Sequence, residues 1–180
     1  MTEKDKKNFA FIDSQNLNLG IRTQGWELDF ARFRVHLKDK YHIAKAFLCI
    51  GYVKGNEGLY KHLQESGYVC IFKPTLELPD GEVKGNVDAE LVLHTMMHID
   101  DFEKALIVTG DGDFHCLIEY LLERGKLLAL MVPNRKKYSG LLKRMDFLPY
   151  TRFVVDVRNK VQKKKDPNED RTSSGQPFRS

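Results

Sequence analysis

The chain has little that would tie it to a membrane, a disulfide framework or a nucleotide loop. Its longest apolar run, Leu127 to Val132, falls far short of the roughly 20 residues that a membrane-spanning helix needs. The opening Met-Thr-Glu-Lys-Asp-Lys-Lys lacks the apolar stretch of a secretory signal, so a cytoplasmic location is expected. Cysteine is scarce: Cys49, Cys70 and Cys116 lie far apart with no C-x-x-C spacing. An odd, scattered set of this kind argues against a disulfide framework and for a reducing compartment. No G-x-x-x-x-G-K-[ST] or G-x-G-x-x-G segment is present, which leaves nucleotide-loop readings without support. His94 and His98 stand four apart, but His94-Thr95-Met96-Met97-His98 lacks the glutamate of a zinc protease helix. Asp111-Gly112-Asp113 is not a calcium-binding EF-hand loop, because His115 occupies the third ligand position. There is no internal repeat.

An excess of one charge sign is also missing from most of the chain. The net charge is +4, and residues 158–180 alone carry seven Lys/Arg against three Asp/Glu, so the preceding 157 residues are balanced. The expected organisation is one domain over residues 1–157 and a basic, disordered tail over 158–180. The tail reads either as a solvated terminus or as a weak electrostatic arm for nucleic acid.

What is present is alternation. Strands are expected near 8–13, 43–53, 68–73, 104–109, 127–132 and 152–157. Most are too continuously apolar for a half-exposed strand, the pattern of a parallel sheet covered on both faces. Helices are expected near 28–40, 56–66, 87–99, 113–124 and 137–145, with Asp29, Asn56 and Asp111 as caps or first-turn residues. The alternation argues for an α/β, doubly wound, mainly parallel sheet, for which the order 3-2-1-4-5 with an added C-terminal strand is assumed. The long connection from Pro74 to Gly85 contains Pro79-Asp80-Gly81, a strong turn signal suited to a small hairpin tip.

The strands end on acids. Phe9-Ala10-Phe11-Ile12 runs into Asp13, and Ala105-Leu106-Ile107-Val108 runs through Thr109-Gly110 into Asp111-Gly112-Asp113. Asp88 opens the third helix, with Lys84 four residues before it. Any one of these acids is an ordinary helix-start residue. Together they are not ordinary. In the expected order, strands one and four are neighbours at the switch point, where ligand sites of open parallel sheets lie. A like-charged pair at about 4 Å costs roughly 4 kcal/mol at an effective dielectric near 20. Four such acids imply a shared proton or a bound cation, and hard oxygen ligands suit Mg²⁺ or Mn²⁺.

Around them stand further polar candidates. Asn16 suits either a phosphate contact or a helix-turn cap, and Thr109 either a metal ligand's hydrogen bond or an ordinary strand position. Lys84 suits a phosphate, an aspartate or solvent, and His115 lies close enough to Asp113 to touch a substrate. After the fifth strand comes Asn134-Arg135-Lys136-Lys137-Tyr138, then Lys143-Arg144. Arg135, Lys136 and Lys137 offer phosphate contacts and Tyr138 a face for an unpaired base; the same residues also read as surface.

Phe11-Ile12-Asp13-Ser14-Gln15-Asn16-Leu17, Lys84-Gly85-Asn86-Val87-Asp88 and Val108-Thr109-Gly110-Asp111-Gly112-Asp113-Phe114 resemble the three signature segments of NYN domains, members of the PIN-like nuclease superfamily. All three stand in order, and the resemblance spans roughly residues 8–157. One departure is Ser14, where many members have glycine. The resemblance implies a three-layer Rossmann-like fold, one or two divalent metals and hydrolysis of RNA phosphodiester bonds. It implies Asp13, Asp88, Asp111 and Asp113 as catalytic and metal-holding residues, with Asn16, Thr109 and Lys84 in support.

Three readings follow: a Mg²⁺- or Mn²⁺-dependent endoribonuclease on single-stranded or structured RNA, a non-catalytic RNA-binding or regulatory module, and a small-molecule phosphohydrolase. Retention of all four acids favours an enzyme; the basic loop and tail favour a polymer. The residues leave open whether a homodimer builds the RNA groove. If RNA is the ligand, its affinity will fall steeply with salt, because several phosphate contacts release counterions. A titration of binding against salt checks this, and a flat response counts against RNA.

Overall fold

A computed structural model of the chain describes residues 7–74, 76–77, 83–84 and 87–164. Strands are β1 (Asn8–Asp13), β2 (Ile43–Tyr52), β3 (Tyr68–Pro74), β4 (Leu76–Glu77), β5 (Val83–Lys84), β6 (Ala105–Val108), β7 (Leu127–Val132) and β8 (Thr151–Phe153). Helices are α1 (Ser14–Arg22), α2 (Phe30–Tyr41), α3 (Glu57–Glu65), α4 (Asp88–Met97), α5 (His115–Glu123) and α6 (Arg158–Val161). Six strands form one sheet in the order β3-β2-β1-β6-β7-β8, every pair parallel. Counting this sheet's own strands, the order is 3-2-1-4-5-6, the assumed order with its added C-terminal strand. The remaining pair, β4 and β5, is an antiparallel ribbon within the long connection. The turn expected at Pro79-Asp80-Gly81 lies outside the described residues.

Strand side chains alternate between two cores because the pleat has a period of two. On one face Ala10, Ile12, Ala46, Leu48, Leu106 and Val108 pack beneath α1 and α2 through Leu17, Ile21, Phe33 and Leu37. On the other, Phe9, Phe11, Phe47, Ile107 and Leu130 pack beneath α4 and α5 through Leu91, Leu117, Ile118 and Leu121. Coverage on both sides explains the continuously apolar strands. Asp29 caps α2 as expected, its carboxylate accepting from Arg32 N at 3.0 Å. Among the described residues, no helix is long and apolar enough to cross a membrane.

Three local expectations change. Ser14–Arg22 is a helix that the sequence hides, since two asparagines and Gly20 lower its propensity. Burial of Leu17 and Ile21, one turn apart on one face, outweighs that deficit. The helix expected at 137–145 is instead a loop with one 3-10 turn at Gly140–Leu142, capped by the Ser139 hydroxyl. The last strand stops at Phe153, and the chain continues through a 3-10 turn (Val154–Val157) into α6. Packed structure therefore runs past the boundary set at residue 157: Val161 is buried, Asp29 N donates to Val161 O at 2.8 Å, and Lys163 N donates to Glu27 O at 2.9 Å. Residues 165–180, most of the expected tail, lie outside the described residues.

Helix α1 is held down at its far end by the loop after β7. Gln24 Nε2 donates to Gly20 O at 2.7 Å and to Pro133 O at 2.9 Å. A methyl group on Gly20 would lie 2.7 Å from Pro133 Cβ, whereas Gly58, in the first turn of α3, has nothing within 4 Å. Gly20→Ala is therefore expected to destabilise by about 1–3 kcal/mol, while Gly58→Ala is neutral or stabilising by up to about 1 kcal/mol. Urea unfolding of both variants is the measurement; stabilisation by Gly20→Ala would refute the close approach.

Candidate metal centre

Strands β1 and β6 lie side by side, with Ile12 opposite Val108, so their carboxyl ends open at one point of the sheet edge. Connections leave β1 toward β2 and β3, and the chain returns to β6 on the other side of β1. This is the switch point, where the crossovers diverge to opposite faces and ligand sites of open parallel sheets lie. Asp13 closes β1 and caps α1: its Oδ1 accepts from Asn16 N at 3.0 Å. Asn16 turns its own Oδ1 to accept from Gly110 N at 2.8 Å, tying the start of α1 to the end of β6. Thr109 Oγ1 reaches toward Asp13 Oδ2 at 3.5 Å and accepts from Asp111 N at 3.1 Å. Asp111 in turn caps the 3-10 turn Gly112–Phe114 that leads into α5, accepting from Asp113 N at 3.0 Å. Asn16 and Thr109, expected as supporting residues, are thus the staples between the two acidic segments.

Asp88, the first residue of α4, meets Asp111 and Asp113 across this edge. One carboxylate oxygen from each of the three lies within 4.8 Å of the others. Asp13 stands outside that mutually close set, only 4% exposed. Its carboxyl is pushed up to about 6, first by burial and then by the negative charges of Asp88 and Asp111; the amide N–H groups of Asn16 and Gln15 oppose the rise. The three converging groups offer only hard oxygens, a donor set that suits Mg²⁺ or Mn²⁺ and disfavours softer metals.

A cleft of about 390 Å³ opens beside the acids, lined by Asn16, Gly110–Asp113, Lys137–Ser139 and Leu141 where the loop after β7 comes up. Ser139 N donates to Gly110 O at 3.0 Å. Contact is so close at Gly112 that a Cβ there would lie 2.9 Å from Ser139 Cβ, which is why glycine separates the two aspartates.

The expected RNA-binding residues divide. Lys137 lines the cleft. Arg135 does not line it: its guanidinium grips Asp156 with both carboxylate oxygens at 2.7 Å and lies 4.3 Å over the Phe153 ring. Lys136 is exposed, with its backbone N–H on Asn134 Oδ1 at 2.9 Å. Tyr138 lines the cleft, but its ring packs edge-on to Phe153 and carries the Lys143 ammonium at 4.8 Å. Lys84 lies in β5, and its side chain is outside the described residues. His115 is turned to backbone, Nδ1 on Gly112 O at 3.0 Å. His98 stacks on Phe47 and pairs with Asp101, a packing role.

Two further residues, not among the sequence candidates, shape the site. Asn134 is buried, accepts from Lys136 N and Lys137 N, and donates to Thr23 Oγ1 at 3.2 Å, so it shapes the loop that brings Lys137 to the cleft. Ser139 packs on Gly112. The only signal is Pro133-Asn134, a turn-forming pair.

The fold and the acidic edge define a Rossmann-like α/β domain of nuclease type. The NYN domain model matches residues 9–149, and the chain belongs to that family. No curated protein matches the chain. Among solved structures, a protein of unknown function from Vibrio parahaemolyticus is similar, with a TM-score of 0.63 and 20% identity over 85% of this chain and 94% of that one. That likeness concerns the fold.

A carboxyl raised to about 6 holds its proton more tightly when folded than when unfolded. Stability is therefore lost as pH rises from about 4 through about 6, and the buried charge costs about 3 kcal/mol above that range. Asp13→Asn keeps an N-cap acceptor but cannot ionise. In EDTA, the variant is expected to be more stable than the parent at pH 8 and to converge with it near pH 4. Denaturation curves across that range check this; a difference independent of pH would refute it.

Proposed function

We propose that this NYN domain is a metal-dependent ribonuclease that hydrolyses RNA phosphodiester bonds internally. The observation that carries the reading is the convergence of Asp88, Asp111 and Asp113 within 4.8 Å beside an open cleft. Membership of a nuclease-like family supports it. Asp88, Asp111 and Asp113 would hold Mg²⁺ or Mn²⁺. When bound, the ion lowers the pKa of a water and polarises a non-bridging phosphate oxygen.

The remaining work falls to the chain's own groups. Asp113, the most exposed of the three acids, would accept a hydrogen bond from the attacking water and aim it at phosphorus. Lys137, in the cleft wall, would bind a non-bridging oxygen and offset charge as the leaving oxygen departs. Arg135, offered for the same kind of phosphate contact, has its guanidinium held by Asp156. Asp13 is a positioning residue: it fixes the start of α1 and, through Thr109 and Asn16, the backbone that carries Asp111.

The test is cleavage of a labelled mixed-sequence RNA with Mg²⁺, with Mn²⁺ and with EDTA. Loss of groups that merely support a metal's ligands costs roughly 10–100-fold, so Asp88→Asn and Asp111→Asn should each cost roughly 100-fold or more. Undiminished cutting by either variant would refute the assignment. Absence of cutting by folded wild-type protein that still binds RNA would leave the non-catalytic RNA-binding module.

A further inference from the structure

A second recess, of about 400 Å³, opens on the other side of the first turn of α1. Its walls come from that turn (Ser14, Gln15, Asn18), the start of α2 (Phe30), the carboxyl end of β2 and the first half of α3 (Asn56, Leu59). Consecutive residues thus face different spaces: Gln15 lines this recess and Asn16 lines the acidic cleft. The first turn of α1 thus contributes side chains to both spaces. Asp13 pairs in register with Cys49 of β2, so the second recess begins one strand spacing, about 5 Å, from the acidic edge.

Its chemistry differs from that of the cleft. None of its lining residues is charged. A phosphate would find no cation there, and a metal no carboxylate. The walls are largely apolar, with the Phe30 ring on one side and Leu59, 45% exposed, on another. Three side-chain amides stand around them. Asn56 occupies the N-cap position of α3, yet its side chain makes no capping hydrogen bond. Gln15 and Asn18 are exposed, and among the described residues neither side chain has a hydrogen-bond partner. An apolar slot rimmed by free amides suits a flat, neutral group with hydrogen-bonding edges.

We propose that this recess is a nucleobase subsite, receiving one unstacked base of the RNA strand whose phosphate lies at the acidic cleft. The inference rests on the RNA reading of the cleft. It adds a source of sequence preference: an unpaired base is recognised by apolar or aromatic contact on its faces and by hydrogen bonds on its edge. The amides of Gln15, Asn18 and Asn56 supply the edge contacts.

The test needs no turnover. Short single-stranded RNAs carrying a fluorescent adenine analogue at successive single positions are bound to the full chain with Ca²⁺ in place of Mg²⁺. One position is expected to change its emission on binding. Leu59→Trp, which fills the recess from an exposed helix position, should abolish that change and weaken binding about tenfold, the scale of one base contact. Asn18→Ala should weaken the signal without filling the recess, which keeps the test decisive if the tryptophan variant folds poorly. RNA binding with every reporter indifferent to both substitutions overturns the subsite and leaves the nuclease reading standing. No RNA binding by the wild type overturns both. A position-specific signal without cleavage in Mg²⁺ or Mn²⁺ removes the nuclease reading and keeps the subsite.

Discussion

The hydrogen bond from Gly110 N to Asn16 Oδ1, 2.8 Å long, joins two pieces of chain that the sequence separates by more than half its length. One piece is the first turn of α1; the other is the end of β6. Each comes off its strand with an acid that must be aimed. Asn16 reaches Gly110 with its backbone N–H held by Asp13, which closes β1 at the same level of the sheet. Asp111 can point outward only because its N–H is taken by Thr109. The carboxylates are therefore set by a short relay of hydrogen bonds anchored in two adjacent parallel strands, whose register is fixed by packing on both faces. A site placed in this way inherits the rigidity of the sheet.

The loop after β7 completes the site under a different constraint, that of space. Gly110 and Gly112 leave room for Tyr138 and Ser139 to lie against the acidic turn. Asn134 gathers two backbone N–H groups and fastens the loop to Thr23, so α1 supports both sides of the cleft. This explains why the run of basic residues does not act as a unit. Arg135 is drawn away by Asp156 and Phe153, on the side of β8, while Lys137, two residues on, faces the cleft.

Most of the architecture was legible because it follows from burial. Runs such as Ala105–Val108, wholly apolar and too short for a helix, suit a strand covered on both faces, and the acids that end them mark the carboxyl edge. What could not be read depends on contacts distant in sequence. Helix α1 has poor local propensity and exists because Leu17 and Ile21 find the sheet. The loop at 137–145 carries helix-compatible residues, but its backbone is committed to Gly110 and to the cap made by Ser139. The acids were visible one by one; that Asp88, Asp111 and Asp113 converge while Asp13 stands behind them is a property of the sheet edge. No pattern in the sequence separates a carboxylate that faces the cleft from one that supports it.

That separation has a thermodynamic consequence. A carboxylate buried beside two others is unfavourable for the isolated fold, and an apolar or amide group would fill the same space at lower cost. Capping alone does not require the charge, since asparagine caps a helix as well as aspartate. The negative charge at Asp13 therefore has value only when positive charge is brought to the edge. Its field would then add to that of Asp88, Asp111 and Asp113 from behind them. The same position lets Asp13 hold the helix turn that walls the cleft on one side and the uncharged recess on the other. One buried group thus links the electrostatics of the acidic edge to the shape of the surface beside it. A substitution there should be felt in both places, whereas one at Asp113, which is exposed, should be felt only at the acids.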